Sequence, residues 1–103
     1  MKLTVVIIAF KSEHLIEKLL LSIPKDFEII ILENSLDIEI KNKFEKYQNV
    51  KVIIPKENLG YGRAFNLGLK VSNNNYICYL SPDVIIPKGC FENIISIIEN
   101  FKN

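Results

Sequence analysis

No glycine precedes position 60 of this chain. A dinucleotide fingerprint needs a glycine-rich turn directly after the first strand, where the backbone must approach a pyrophosphate closely. That class is excluded, as is a sugar nucleotidyltransferase, which needs a glycine-rich loop at the same place. Tryptophan is absent, and the one histidine, His14, has no Cys, Asp or Ser partner at a useful spacing, so it reads as a surface residue. The two cysteines, Cys78 and Cys90, lack metal spacing and any wider disulfide pattern. Both read as reduced thiols, and the compartment as cytoplasmic. Charge excess is missing too: 13 Lys and Arg stand against 12 Asp and Glu. A general nucleic-acid binder carries a basic surplus, so no nucleic-acid partner is expected. No apolar run nears the roughly 18 residues of a membrane span. The opening MKLTVVIIAF lacks a small-residue cleavage site, and Lys11, Ser12 and Glu13 follow too early for a signal peptide. Acids are missing where that segment ends, at Ala9 and Phe10, which excludes a phosphoacceptor receiver domain.

What is present is a 103-residue chain, one domain at most, with an isoleucine-dominated apolar share of 49% that makes it globular. Residues 3–10 and 28–32 are unalternated Val/Ile-rich runs, as in strands buried on both faces of a parallel sheet. Residues 50–54, stopped by Pro55, and 76–80 are further strands. Ser12 is placed to cap a helix over 13–23, with Leu15, Ile16, Leu19, Leu20 and Ile23 at helical spacing and Pro24 ending it. A charged helix follows Asp37, with Ile38, Ile40, Phe44 and Tyr47 along one side. Residues 56–62 read as loop, and 64–71 as a short helix with Phe65, Leu67, Leu69 and Val71 apolar. A last helix lies within 87–101, with Phe91, Ile94, Ile95 and Ile98 inward. The order β-α-β-α-β-α-β-α predicts an α/β fold: a Rossmann-like three-layer α/β/α arrangement around a mainly parallel four-stranded sheet with right-handed crossovers. Ligands of such sheets bind outside the carboxyl ends of the strands. Three polar segments sit there, at 9–12, 33–37 and 81–83, which suggests one cleft lined by two acidic turns.

Each candidate site residue has a bland alternative. Asp83, in a turn after an apolar strand, suits either a divalent cation beside a diphosphate or plain Pro-Asp turn chemistry. Glu33 suits a hydrogen bond from a base imide, and Asn34 suits base or ribose edges; both also read as solvated loop residues. Asp37 reads as the N-cap of the second helix. Arg63, beside Gly60 and Gly62, suits either a phosphate or the surface near a helix start. The four tyrosines are scattered and form no stacking platform.

Together, TVVIIAFKSEHLIEKLLLSI, EIIILENSLD, NLGYGRAFNLGL and YICYLSPDV, in this order and spacing, resemble the N-terminal, nucleotide-sugar-binding half of family 2 glycosyltransferases of GT-A fold. The form is nearest to rhamnosyltransferase-like members. The resemblance spans essentially the whole chain and implies a truncated GT-A (nucleotide-diphospho-sugar transferase) fold in a single domain over 1–103. It implies a donor site for inverting transfer of a sugar from a nucleoside diphosphate. Ala9 and Phe10 would contact base or ribose, largely through backbone, and Glu33 would take the place of the usual Asp that accepts from the base, with Asn34 beside it. Arg63 would reach phosphate, and Asn66 and Gly68 would shape the helix beneath. Asp83 would be the metal ligand, for magnesium or manganese.

The sequence departs from the family pattern at Glu33, which replaces an Asp before a turn one residue shorter, and at Ser81, which replaces an Asp or Asn. The family's acceptor half and its general base do not precede Asn103. Weak or absent transfer by this chain alone is therefore expected. The alternative is a non-catalytic nucleotide-binding or self-association module. An uncovered apolar edge on the fourth strand implies a homodimer or higher homo-oligomer through that edge or the helix faces. The family's setting implies peripheral association with the inner membrane face.

Overall fold

The computed structural model describes residues 3–101. Eight elements alternate: β1 (Thr4–Ala9), α1 (Glu13–Leu20), β2 (Glu28–Glu33), α2 (Ile38–Phe44), β3 (Val50–Ile53), α3 (Gly60–Val71), β4 (Ile77–Leu80) and α4 (Cys90–Phe101). The strands form one all-parallel sheet in the order β3-β2-β1-β4. The two Val/Ile-rich runs become its two central strands. β1 is buried at every residue and β2 at all but Glu28. β-Branched side chains suit this position because they pack on both faces of a pleated surface.

Successive residues of each strand feed opposite layers. Val5, Ile7 and Ala9 with Ile29, Ile31, Val50 and Val52 meet Ile16 and Leu19 of α1, Ile40 and Phe44 of α2 and Phe91 of α4. Val6, Ile8, Ile30 and Leu32 meet Ala64 of α3. Three helices thus cover one face and α3 the other. Gly68 allows α3 to lie this close, since a Cβ there would stand 2.9 Å from Val6 Cγ1.

The helix ends differ from the sequence reading. α1 ends at Leu20, not Ile23, because Leu21, Ser22 and Ile23 turn to tighter bonds from their N–H groups to Lys18, Leu19 and Leu20 carbonyls. Ser12 stands at the cap position of α1, but its hydroxyl donates to Phe10 O at 2.8 Å instead of capping. Asp37 does cap α2, accepting from Glu39 N at 3.0 Å. Ile40 and Phe44 point inward, whereas Ile38 and Tyr47 are exposed. α3 starts at Gly60, four residues before the expected Ala64, so Gly60 and Gly62 belong to its first helical turn.

The two sheet edges are unlike. On β3 the N–H of Val52 donates to Glu45 Oε2 at 2.9 Å and its carbonyl accepts from Lys41 Nζ at 2.8 Å. Side chains of α2 and the residue after it thus mask that edge. β4 ends the sheet on the other side, its residues half-buried or exposed throughout. Cys78 and Cys90 are free thiols, and burial, followed by the nearby Cys90, raises the Cys78 pKa.

Candidate functional site

The chain moves from β1 to β2 and β3 in one direction, then crosses back through α3 to β4 on the other side of β1. The ends of β1 and β4 are therefore a topological switch point, where loops diverge and leave a crevice. Ala9 closes β1 and is fully buried; Phe10, next in the chain, is 52% exposed above the crevice. Lys11 then adopts φ 51°, a left-handed conformation that turns the chain into α1.

On the β4 side, Ser81, Pro82 and Asp83 form the turn. Asp83 is exposed, and its Oδ1 accepts from Ser81 Oγ at 2.5 Å. Beside it, Ile8, Tyr61, Gly62, Phe65 and Tyr79 line a depression of about 320 Å³. Phe65 meets Tyr79 edge-on at 6.1 Å. Burial, then the nearby Tyr61 and Asp83, push the Tyr79 hydroxyl up. Sequence reasoning missed this aromatic grouping. Tyr61 and Tyr79 come from different elements, and only the crossover through α3 brings them together.

On the β2 side, Glu33 pairs with Ala9 across the sheet. It is 1% exposed, and its Oε2 accepts from Ser35 Oγ at 2.6 Å and Asp37 N at 2.8 Å. Asn34 is also buried. Its backbone N–H donates to Ala9 O at 2.8 Å, its Nδ2 to Gly60 O at 3.1 Å, and its Oδ1 accepts from Leu59 N at 3.1 Å. Asn34 therefore ties the start of α3 to the end of β2. Gly60, at φ +70°, takes the backbone conformation that this tie and the Asn58 side chain require; Gly60 N donates to Asn58 Oδ1 at 2.8 Å.

Arg63 is exposed, its Nε donating to Leu59 O at 3.3 Å and its guanidinium 3.7 Å from Glu57. Of the residues expected beneath the site, Gly68 is buried against the sheet and Asn66 is exposed. His14 is on the surface.

The structure therefore gathers Ala9, Phe10 and Asp83 around the switch point. Glu33 and Asn34 lie one strand away from β1 on the far side, so the two acidic turns flank β1 about 10 Å apart, two strand spacings. A divalent cation fits only one arrangement here. Among the described residues no group of three His, Cys, Asp or Glu could hold a metal ion. A single carboxylate does suffice for magnesium when a diphosphate supplies other oxygens. Asp83 thus fits a cation shared with a ligand and not a resident one.

The glycosyl transferase family 2 model matches residues 4–103. The minor teichoic acid biosynthesis protein GgaB of Bacillus subtilis (strain 168) is 36% identical over 78 residues, 73% of this chain and 9% of GgaB. The crystal structure of S. aureus TarS 1-349 superposes with a TM-score of 0.81 at 27% identity, covering 97% of this chain and 33% of that one. The mannosyltransferase PcManGT of Pyrobaculum calidifontis, solved with GDP-Man and Mn2+, gives a TM-score of 0.77 at 17% identity over 90% of this chain and 31% of its own, a likeness of fold. The chain thus spans about a third of these solved structures and less than a tenth of GgaB. Its parallel sheet and four helices follow the GT-A arrangement, and with nearly every residue matched, the chain belongs to glycosyl transferase family 2.

Proposed function

We propose that this chain provides the nucleoside-diphosphate-sugar site of a hexosyltransferase-type inverting glycosyl transfer, with a magnesium or manganese ion shared between Asp83 and the donor diphosphate. The observation that carries this is the position of Asp83, an exposed carboxylate at the switch point beside the aromatic depression. Phe10 offers an exposed ring for a base to stack on, with Ala9 backbone below it. Glu33 and Asn34 form the floor on the β2 side. The contacts that hold Arg63 are exposed and weak enough for a phosphate to displace. The cation, when bound, offsets charge on the departing diphosphate. The chain's own residues bind and orient the donor. The general base and acceptor wall are assigned to parts of a longer protein, so transfer by this chain alone is expected to be weak or absent.

Titration calorimetry with UDP, dTDP and GDP tests the site. Binding that strengthens with magnesium or manganese is the expected result. No heat with any of the three at millimolar concentration, with or without metal, would sink the proposal.

A second reading, a non-catalytic self-association module, is favoured by the β4 edge. Among the described residues no strand pairs with its outer side, while the β3 edge is masked. Self-association through β4 predicts a homodimer in sedimentation velocity, and a monomer at high concentration contradicts it. Among the described residues no helix is long and apolar enough to cross a membrane. The working place proposed is the cytoplasmic side of the inner membrane, with peripheral association.

A further inference from the structure

Glu33 occupies the position where the proposed donor site calls for a base contact, yet its geometry serves another purpose. At 1% exposure it presents no face to a base lying above the sheet. Its Oε2 is held by Ser35 Oγ at 2.6 Å and Asp37 N at 2.8 Å. Ser35 Oγ also accepts from Lys11 N at 3.3 Å. A chain of hydrogen bonds thus runs from the loop after β1, through the Ser35 hydroxyl, to the carboxylate, and on to the start of α2.

Both loops on this chain carry strained backbone. Leu36 sits at φ 63° and Lys11 at φ 51°. The left-handed region is unfavourable for an ordinary L-residue, so each conformation must be held by its surroundings. Hydrogen bonds to a carboxylate are charge-assisted and strong enough for this task. The length of Glu33 lets one oxygen reach a backbone N–H four residues ahead while bonding a hydroxyl two residues ahead. The carboxylate fills the inside of the turn, and Lys11, beside Phe10, is positioned through it.

We propose that Glu33 is a positioning residue of the nucleotide site: it acts through Ser35 to hold the Phe10–Lys11 loop, and it does not read the base. This rests on the donor-site reading above. It separates two outcomes that direct base contact would merge. If Glu33 accepted from a base N–H, its loss would harm UDP, whose uracil carries an imide N–H, more than CDP, whose cytosine has none. Ser35→Ala would then free the carboxylate and leave UDP binding unchanged or stronger. A positioning role predicts the reverse. Ser35→Ala and Glu33→Gln each weaken UDP and CDP by about three- to tenfold, the worth of one hydrogen bond. The UDP-to-CDP ratio stays constant, and the double variant is no weaker than the poorer single one because both act on one bond.

The experiment is calorimetry of UDP and CDP, with magnesium, on the unsubstituted chain and on Ser35→Ala, Glu33→Gln and the double variant. Amide hydrogen exchange is followed at Lys11 and Asp37. Equal losses for both nucleotides, with faster Lys11 exchange in Ser35→Ala and faster Asp37 exchange in Glu33→Gln, are the expected result. Ser35→Ala removes one oxygen from a half-exposed turn and is expected to fold even where Glu33→Gln does not. Unchanged binding in Ser35→Ala, or a loss confined to UDP in Glu33→Gln, overturns the positioning role while leaving the donor site standing. Silence of the unsubstituted chain toward both nucleotides overturns the donor site and this role with it.

Discussion

Replacing Glu28 by alanine is expected to lower the unfolding free energy by about 2–4 kcal/mol, among the largest effects of any single polar substitution in this chain. Glu28 opens β2 at the end of the sheet opposite the proposed site. Its Oε1 accepts from Thr4 Oγ1 at 2.7 Å and Asn73 N at 2.9 Å, and its Oε2 from Asn73 Nδ2 at 2.7 Å. Thr4 is fully buried. Its hydroxyl oxygen also accepts from Ser72 Oγ at 2.8 Å and Asn74 Nδ2 at 2.9 Å. The carboxylate therefore anchors the α3–β4 connection to both central strands. Alanine would strand the donor of the buried Thr4 hydroxyl, and a buried group left unpaired costs more than its hydrogen bond contributes, while the exposed Asn73 donors would turn to water and release the connection. Urea unfolding of Glu28→Ala and Glu28→Gln checks the figure, with glutamine losing less because it keeps one acceptor.

The same contacts set a pH dependence. Burial pulls the Glu28 carboxyl up, but the Asn73 N–H, the Thr4 hydroxyl and the Asn73 amide outweigh it, so the folded pKa lies below its ordinary value. Its stabilisation is therefore present above the unfolded carboxyl pKa of about 4.3 and is lost as pH falls through the lower folded value. Glu17 and Glu45 are also lowered, the first mainly by Lys43 and the second mainly by the Val52 N–H. Both lie on the surface, where salt screens the ion pairs with Lys43 and Lys41 but leaves the bond from the Val52 N–H to Glu45. In high salt, the acid loss that remains and that Glu28→Gln flattens is expected to belong to Glu28.

How much of this molecule was legible from its residues depends on the reach of each signal. β1 and β2 announced themselves because burial on both faces leaves an unbroken apolar run, and Asp37 because capping is a contact two residues long. The fold class followed from the alternation of elements, and the family from four short motifs in order. The start of α3 was not legible. It is set by Asn34, whose side chain reaches Leu59 and Gly60 from 25 and 26 residues away. The grouping of Tyr61 with Tyr79 around one depression was hidden for the same reason, since a crossover joins their elements. The inward side of Glu33 was hidden because an acid at a strand end reads as solvated until the turn above it is seen to close over the carboxylate. Leu69, one of the apolar members expected in that helix, is 40% exposed because α3 meets the sheet through Ala64 and Gly68.

Asp83→Ala is expected to remove the metal-dependent part of nucleotide binding, at least about tenfold in affinity, or 1.4 kcal/mol, while leaving the fold intact. The side chain is exposed, and the one hydrogen bond it is seen to make comes from the Ser81 hydroxyl, itself in reach of water. Stability should therefore stay within about 0.5 kcal/mol. Binding should not be so tolerant. Among the described residues no group of three acids, histidines or cysteines forms a resident cation site, and Ser81 supplies only a neutral oxygen. One carboxylate then carries the whole protein share of the charge that holds a cation against a diphosphate. Asp83→Asn preserves the bond from Ser81 but removes the charge, so it should fail as alanine does. In calorimetry of UDP with and without manganese, both variants should bind at the level of the metal-free unsubstituted chain. Should either variant keep a full metal response, the cation is held elsewhere, and Asp83 reverts to finishing the turn after Pro82.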